Sequence, residues 1–314
     1  MYRYRSVVNL CVFIIIVGLA YNSEYNPFMM KEAKTLSQAI KTEDVLYKEI
    51  QDKSTDLKDP PQNAYIDDVW KKTPGRNGLI VNLDKSYEKM KEEGQYNESL
   101  LVYEQKSPEI SIKDLAASPI YRGHPEKNMV AFLINVSWGA EFIPEIVNIL
   151  KENKVKATFF IEGKWAKDNS ELVKMIDEQD HVIGNHAYNH PDMARISNQS
   201  IFEQINQTNE IIEAITGETP EWFAPPSGSF NDQVVLTAHQ LKMETILWTV
   251  DTIDWKNPSV SVMINRVNSK IHPGATILMH PTSSIANNLG ALIKNIKDQD
   301  YKISTIEKLL SEER

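Results

Sequence analysis

From Lys127 onward, short apolar runs alternate with longer stretches whose apolar residues recur every three or four positions. Period two or an unbroken β-branched run marks a strand, and period 3.6 an amphipathic helix. On that basis the sequence predicts strands at 129–136, 155–161, 181–184, 221–224, 244–250, 275–279 and 302–304. It predicts helices at 143–152, up to about 179, then 197–215, 232–241, 259–271, 284–297 and 305–312. Ser197 can cap the third helix, and Gly217 lies just past its end. Repeated βα units predict a parallel sheet covered by helices, and this many units favour a barrel.

Ahead of that array the pattern is weaker. Residues 25–64 are polar with helical periodicity in Val45-Leu46-Ile50, ended by Asp59-Pro60-Pro61. A polar helical spacer over 22–65 is the simplest reading. Residues 66–126 read as a small α/β module. Pro74-Gly75 and Asn77-Gly78 mark turns, Leu79–Val81 and Leu101–Tyr103 are short strands, and Asp84 can cap a helix through Met90 that stops at Gly94. The main domain is then 127–314. At the extreme N-terminus, Arg3 and Arg5 precede an apolar run over 7–20, about 14 residues long. That suits a signal peptide over 1–21, or a short membrane anchor if it is not cleaved, since a full span needs ~20 residues.

Composition adds exclusions. A net charge of −9 argues against nucleic acid, which demands a basic face. The one cysteine, Cys11, falls inside the leader. The rest of the chain therefore has no disulfide, thiol catalysis or zinc-thiolate site.

The chemistry concentrates in a few loops. His186 and His190 lie four residues apart in Gly184-Asn185-His186-Ala187-Tyr188-Asn189-His190-Pro191, directly after a predicted strand. Neutral imidazole is the commonest nitrogen ligand for zinc, and one loop can supply two. Downstream come Asp251-Thr252-Ile253-Asp254-Trp255 and Leu278-Met279-His280-Pro281, and upstream Lys156-Ala157-Thr158-Phe159-Phe160. The other histidines, 124, 181, 239 and 272, read as turn, strand-start or helix-face residues.

In this order the motifs resemble the polysaccharide deacetylase family, the NodB homology domain, over about residues 128–310. The resemblance implies a distorted (β/α) barrel and metal-dependent hydrolysis of an N-acetyl group on cell-wall glycan of the peptidoglycan or chitin type. It implies His186 and His190 as ligands of a divalent metal, zinc more readily than magnesium. It implies His280 as general acid, Asp251 as the carboxylate that tunes it, and Trp255, Leu278 and Pro225 as groove-lining residues. Asp254 then reads as structural.

The sequence also departs from the family. Its first motif ends in two aspartates, a general base and a metal ligand. Here the alignment puts Asn135 on the base and Val136 on the ligand. Asn135 has no usable basic site and Val136 cannot ligate. Ala224 replaces the arginine that orients the base, and Glu141 is a candidate substitute carboxylate. These departures resemble a sporulation-associated branch of the family. Two readings follow: an N-deacetylase with weak or absent metal, or a catalytically inactive glycan-binding scaffold. Either would be exported, secreted or membrane-anchored, at the surface of a Gram-positive spore-former.

Overall fold

The computed structural model describes residues 10–14, 17 and 44–314. Most of the expected leader and the first half of the spacer lie outside these residues. Among the described residues no helix is long and apolar enough to cross a membrane.

The chain divides into two compact units, one of residues 1–60 with 79–106 and the other of 61–78 with 107–314. In the first, helices Val45–Ser54 and Leu83–Met90 pack with a two-stranded sheet, Gly78–Val81 and Tyr103–Lys106. The helical periodicity read in the spacer is used here: Leu46 and Ile50 join Val81, Met90 and Leu101 in one apolar cluster. The second helix is capped by Asn82, whose side chain accepts from Lys85 N, rather than by Asp84, which lies one turn position inside. An Ncap residue needs extended backbone, and Asn82 has it at φ −77°, ψ 99°.

The second unit opens with an antiparallel pair, β1 (Tyr65–Asp67) and β2 (Lys71–Thr73). With Gly78–Val81 as β3 and Tyr103–Lys106 as β4, the main sheet starts at β5 (Met129–Val136). It continues with β6 (Thr158–Ile161), β7 (Val182–Asn185), β8 (Trp222–Phe223), β9 (Glu244–Thr245), β10 (Val250–Asp251), β11 (Thr276–Met279) and β12 (Lys302–Ser304). The order is β10-β11-β5-β6-β7-β8-β9, all parallel, with β12 pairing the first half of β5. This is the curled α/β sheet expected of a distorted barrel.

The run 244–250, read as one strand, splits in two. Glu244–Thr245 pairs with β8 at one edge, and Val250–Asp251 pairs with β11 at the other. Only Ile246–Thr249 lies between them. Thr245 and Val250 are five residue steps apart and span at most ~18 Å, so the two edges must curl toward each other. Ile120 fills the seam: its N–H donates to Thr245 O, and its carbonyl accepts from Leu247 N, both at 2.8 Å.

Alternation along each strand separates inside from outside. Val130, Phe132, Ile134 and Val136 of β5 join Phe159, Ile161, Ile277 and Met279 and the helices in the outer cluster. Ala131, Leu133, Phe160, Ala224 and Ile246 form the inner cluster. Period two then puts Asn135, Glu162, His186 and His280 on the inner side at the strands' C-terminal ends, the end where β/α barrels place their chemistry.

Candidate active site

His186 follows β7. It is buried, and its Nδ1 lies 2.7 Å from the carbonyl oxygen of Ala224 at the end of β8. A carbonyl only accepts, so Nδ1 carries the proton and Nε2 keeps its lone pair. Burial, with help from His190 and His280, lowers its pKa to about 3, so the ring stays neutral. A neutral imidazole fixed by a carbonyl through its other nitrogen is the form that ligates metal. His190 lies with its ring centroid 5.1 Å from that of His186, at 69°. Burial also lowers its pKa, and His280 adds to the effect. Ala187 and His190 both take left-handed backbone, at φ 59° and 56°. This costs roughly 1–2 kcal/mol per residue, and the loop is held by Gln204, whose Oε1 accepts from Tyr188 N and Asn189 N.

His280 follows β11 on the other flank of β5. Its ring lies stacked on Trp138, with centroids 5.2 Å apart and planes at 16°. The loops carrying these two rings are pressed together at Gly139. It has φ +74°, and a Cβ there would sit 1.9 Å from Pro281 O. Only glycine fits that approach.

The carboxylate that holds His280 is Asp254, not Asp251. Asp254 Oδ1 is 3.2 Å from His280 Nδ1, and Oδ2 accepts from His280 N at 3.2 Å. Thr252 Oγ1 and Thr282 Oγ1 donate to it at 2.7 and 2.9 Å. Asp251 accepts only from Ile253 N, a local turn bond at 2.8 Å. The left-handed Ile253, at φ 52°, swings the chain back so that the later aspartate, 1% exposed, reaches under His280. Spacing alone favoured the residue at the strand end. The positive φ that reverses the choice leaves no mark in a β-branched residue such as Ile253.

On the base side, Asn135 faces inward, 4% exposed, and its Oδ1 meets no partner. Val136 does not reach the mouth at all. It is fully buried in the outer cluster, packed toward the helices. Ala224 faces inward with no cation, while its backbone carbonyl orients His186. Glu141 is exposed on a 3-10 turn. The buried carboxylate on this side is Glu162, directly after β6, which the motif reading missed although strand alternation marks it as inward. Burial pushes its carboxyl up, and the nearby Ser137 hydroxyl and Lys164 ammonium pull it partway back. Ser137 Oγ influences that charge without being aligned for a regular hydrogen bond.

The groove residues divide by exposure. Trp255 is 55% exposed, with Lys256 Nζ 4.9 Å from its ring centroid, so it is not a core residue. Leu278 is 4% exposed and Pro225 is buried, so each offers little surface to a ligand. Among the described residues no group of three or more His, Cys, Asp or Glu is placed to hold a metal ion. The donor set fits the two-histidine half of a metal site and not a whole one.

A family model for polysaccharide deacetylases matches residues 122–246. An uncharacterized protein of Bacillus subtilis (strain 168), YlxY, is 46% identical over 99% of both chains. The chain belongs to the polysaccharide deacetylase family. A solved structure described as a CE4 family pseudoenzyme from Bacillus anthracis superposes with TM-score 0.80 at 49% identity, covering 86% of this chain and 96% of that one. A mutant of that protein, described as having restored enzymatic activity, superposes equally well at 48% identity. A peptidoglycan-N-acetylglucosamine deacetylase of Bacillus cereus is 36% identical over 52% of this chain and 59% of its own length. Polysaccharide deacetylases hydrolyse N-acetyl groups with a metal's help. In this chain His280 keeps its carboxylate partner Asp254, while Asn135, Val136 and Ala224 stand together on the other flank.

Proposed function

We propose that this chain binds N-acetylated cell-wall glycan and is at most a slow N-deacetylase, retaining the acid and histidine flank and lacking the base. The observation that carries this is Asn135, buried, facing the mouth, with an unpartnered Oδ1. Amide hydrolysis needs a group to take a proton from the attacking water and another to give one to the departing amine. His280 is equipped for the second task, with Nδ1 held by Asp254, Nε2 free, and the face of Trp138 to steady a cationic ring. The Asn135 position offers no carboxylate for the first, and the buried carboxylate on that flank is Glu162, one strand away. Loss of base assistance costs typically ~10²–10⁴-fold in rate. A divalent ion held by His186 and His190 would polarise the carbonyl and acidify water. With two protein ligands it binds weakly, and zinc suits imidazole best.

The second reading, a scaffold with no turnover, is favoured by the similarity to a protein described as a pseudoenzyme. The names of the Bacillus relatives support cell-wall peptidoglycan as the partner and action outside the cytoplasm. The charged start and short apolar run at 1–21 fit export or membrane anchoring, and the resemblance fits a spore-former. Acetate release from N-acetylglucosamine oligomers and peptidoglycan, with zinc added, decides between the readings. The expected result is slow or undetectable turnover by wild type and at least ~10-fold more by Asn135→Asp. Brisk wild-type turnover abolished by His280→Ala would mean that another group supplies the base.

A further inference from the structure

The opposite face of the barrel, at the N-terminal ends of the strands, carries a groove that the family's chemistry does not use. A cavity of about 270 Å³ opens beside the starts of β7 and β8. A second, of about 330 Å³, shares three wall residues with it: Glu221, Trp222 and Glu307. One lies just below and the other inside the ~300–1,000 Å³ range of small-ligand sites, and they adjoin at the half-buried Trp222.

The walls are mostly acidic: the second compartment adds Glu312 and one cation, Lys113. Asp177, Glu218, Glu221 and Glu307 line the first compartment, all four exposed at its rim, with no lysine or arginine among them. Burial and the Glu218 carboxylate are the leading causes that push the Asp177 carboxyl up. That is the mark of a place short of positive charge.

The floor supplies an independent observation. His181 lines this cavity and is 5% exposed. Its Nδ1 accepts from Ala157 N at 3.2 Å, so the neutral ring carries its proton on Nε2. That Nε2–H is buried and meets no partner. A buried donor without an acceptor costs about 1–3 kcal/mol, and a native fold keeps one only for a reason.

We propose that this groove binds a glycan bearing free amino groups, such as a de-N-acetylated amino-sugar chain, with one sugar face on Trp222. Sugar rings stack on indole faces, their oxygens accept from a donor such as His181 Nε2–H, and their ammonium groups pair with the carboxylate rim. A linear polymer fills two compartments on either side of one tryptophan, which a compact amine cannot do. The site lies at the opposite end of the strands from His186 and His280, so it reads glycan already stripped of acetyl groups while the mouth faces acetylated glycan. It rests on the cell-wall reading above for the ligand's source and not for its chemistry.

The test uses the full chain and β-1,4-linked glucosamine oligomers at mildly acidic pH, followed by calorimetry. N-acetylglucosamine oligomers and spermidine serve as the competing probes. Glu221→Gln with Glu307→Gln should weaken glucosamine-oligomer binding by about tenfold, since each exposed ion pair is worth up to ~1 kcal/mol. Both side chains are exposed, so folding should be unchanged. Trp222→Phe should lower affinity less than Trp222→Ala, and Trp255→Ala at the mouth should leave it intact. Binding unaffected by the double substitution overturns the site. Equal binding of the N-acetylated oligomer overturns the demand for an amine, and spermidine bound as tightly as the oligosaccharide overturns the sugar. Acetate release is read separately, so a silent mouth and an empty groove are distinguishable failures.

Discussion

Replacing Val136 by aspartate, the change that sequence alignment invites, should unfold the barrel rather than complete a metal site. Val136 is fully buried among Ile134, Ile143, Ile161 and Met279 on the helix side of β5. Losing a buried valine costs ~1.5–3 kcal/mol. The carboxylate adds more. Burial raises such a group by about 3–5 units from an unfolded value near 3.9, so at pH 7 it folds protonated. Holding that proton costs about 1.36 kcal/mol for each unit between 3.9 and 7, or ~4 kcal/mol. The sum is ~6 kcal/mol at neutral pH. For an aspartate whose folded pKa is raised, the penalty grows with pH up to the folded pKa and fades as pH falls toward the unfolded one. Near pH 4 only the ~2 kcal/mol packing loss should remain. Val136→Asn, which carries no charge, should show a penalty independent of pH. Urea unfolding of the two variants against wild type at several pH values measures both. A Val136→Asp variant within ~1 kcal/mol of wild type at pH 7, or a penalty flat with pH, would mean that the side chain reaches the mouth and that the strand-alternation argument is wrong.

Three further outcomes are expected. Asp254→Ala should destabilise by ~3–4 kcal/mol because it strands His280, Thr252 and Thr282, whereas Asp251→Ala should cost ~1 kcal/mol, read by chemical denaturation. His186 and His181 have folded pKa values lowered by burial to about 3 and about 4. Each favours the folded state fully above the unfolded value near 6.5 and turns against it as pH falls through 6.5 toward the folded pKa, by ~2 kcal/mol per residue at pH 5. Unfolding midpoints at about pH 7.5 and about pH 5, with His181→Gln recovering part of the loss, check this. Zinc should bind weakly, be removed by dialysis against chelator and be lost altogether in His186→Ala. Stoichiometric metal surviving the chelator would reveal a third ligand.

Periodicity carried most of the fold. The apolar run of β5, the amphipathic helices and their order all follow from residues whose spacing has one structural meaning. The split of 244–250 was hidden because the two halves pair with different neighbours, and pairing partners leave no local signal. At the site, the placement of His186 and His280 directly after strand ends, with His190 in the same loop as His186, was legible because each loop follows an apolar run that reads as a strand. The directions of Asp254 and Val136 were not legible for a shared reason: alignment gives position along the chain and not the direction of a side chain. A left-handed Ile253 turns one carboxylate under His280, and strand alternation turns Val136 away from the mouth. Glu162 and Trp138 belong to no motif and emerge only once strands and loops stand side by side.

The four residues Ile246–Thr249 have one more consequence. They join the two edges of the main sheet covalently, with Ile120 bonded alongside, so they act as the clasp of a bracelet. On one side of the clasp stands β8, leading to Ala224 and the carbonyl that orients His186. On the other stand β10 and β11, leading to Asp254 and His280. The girth of the barrel, and with it the separation of its two working flanks, is set by a length of peptide. A residue inserted there would be felt around the whole circumference, whereas the same insertion in the connection after any helix would be absorbed where it was made.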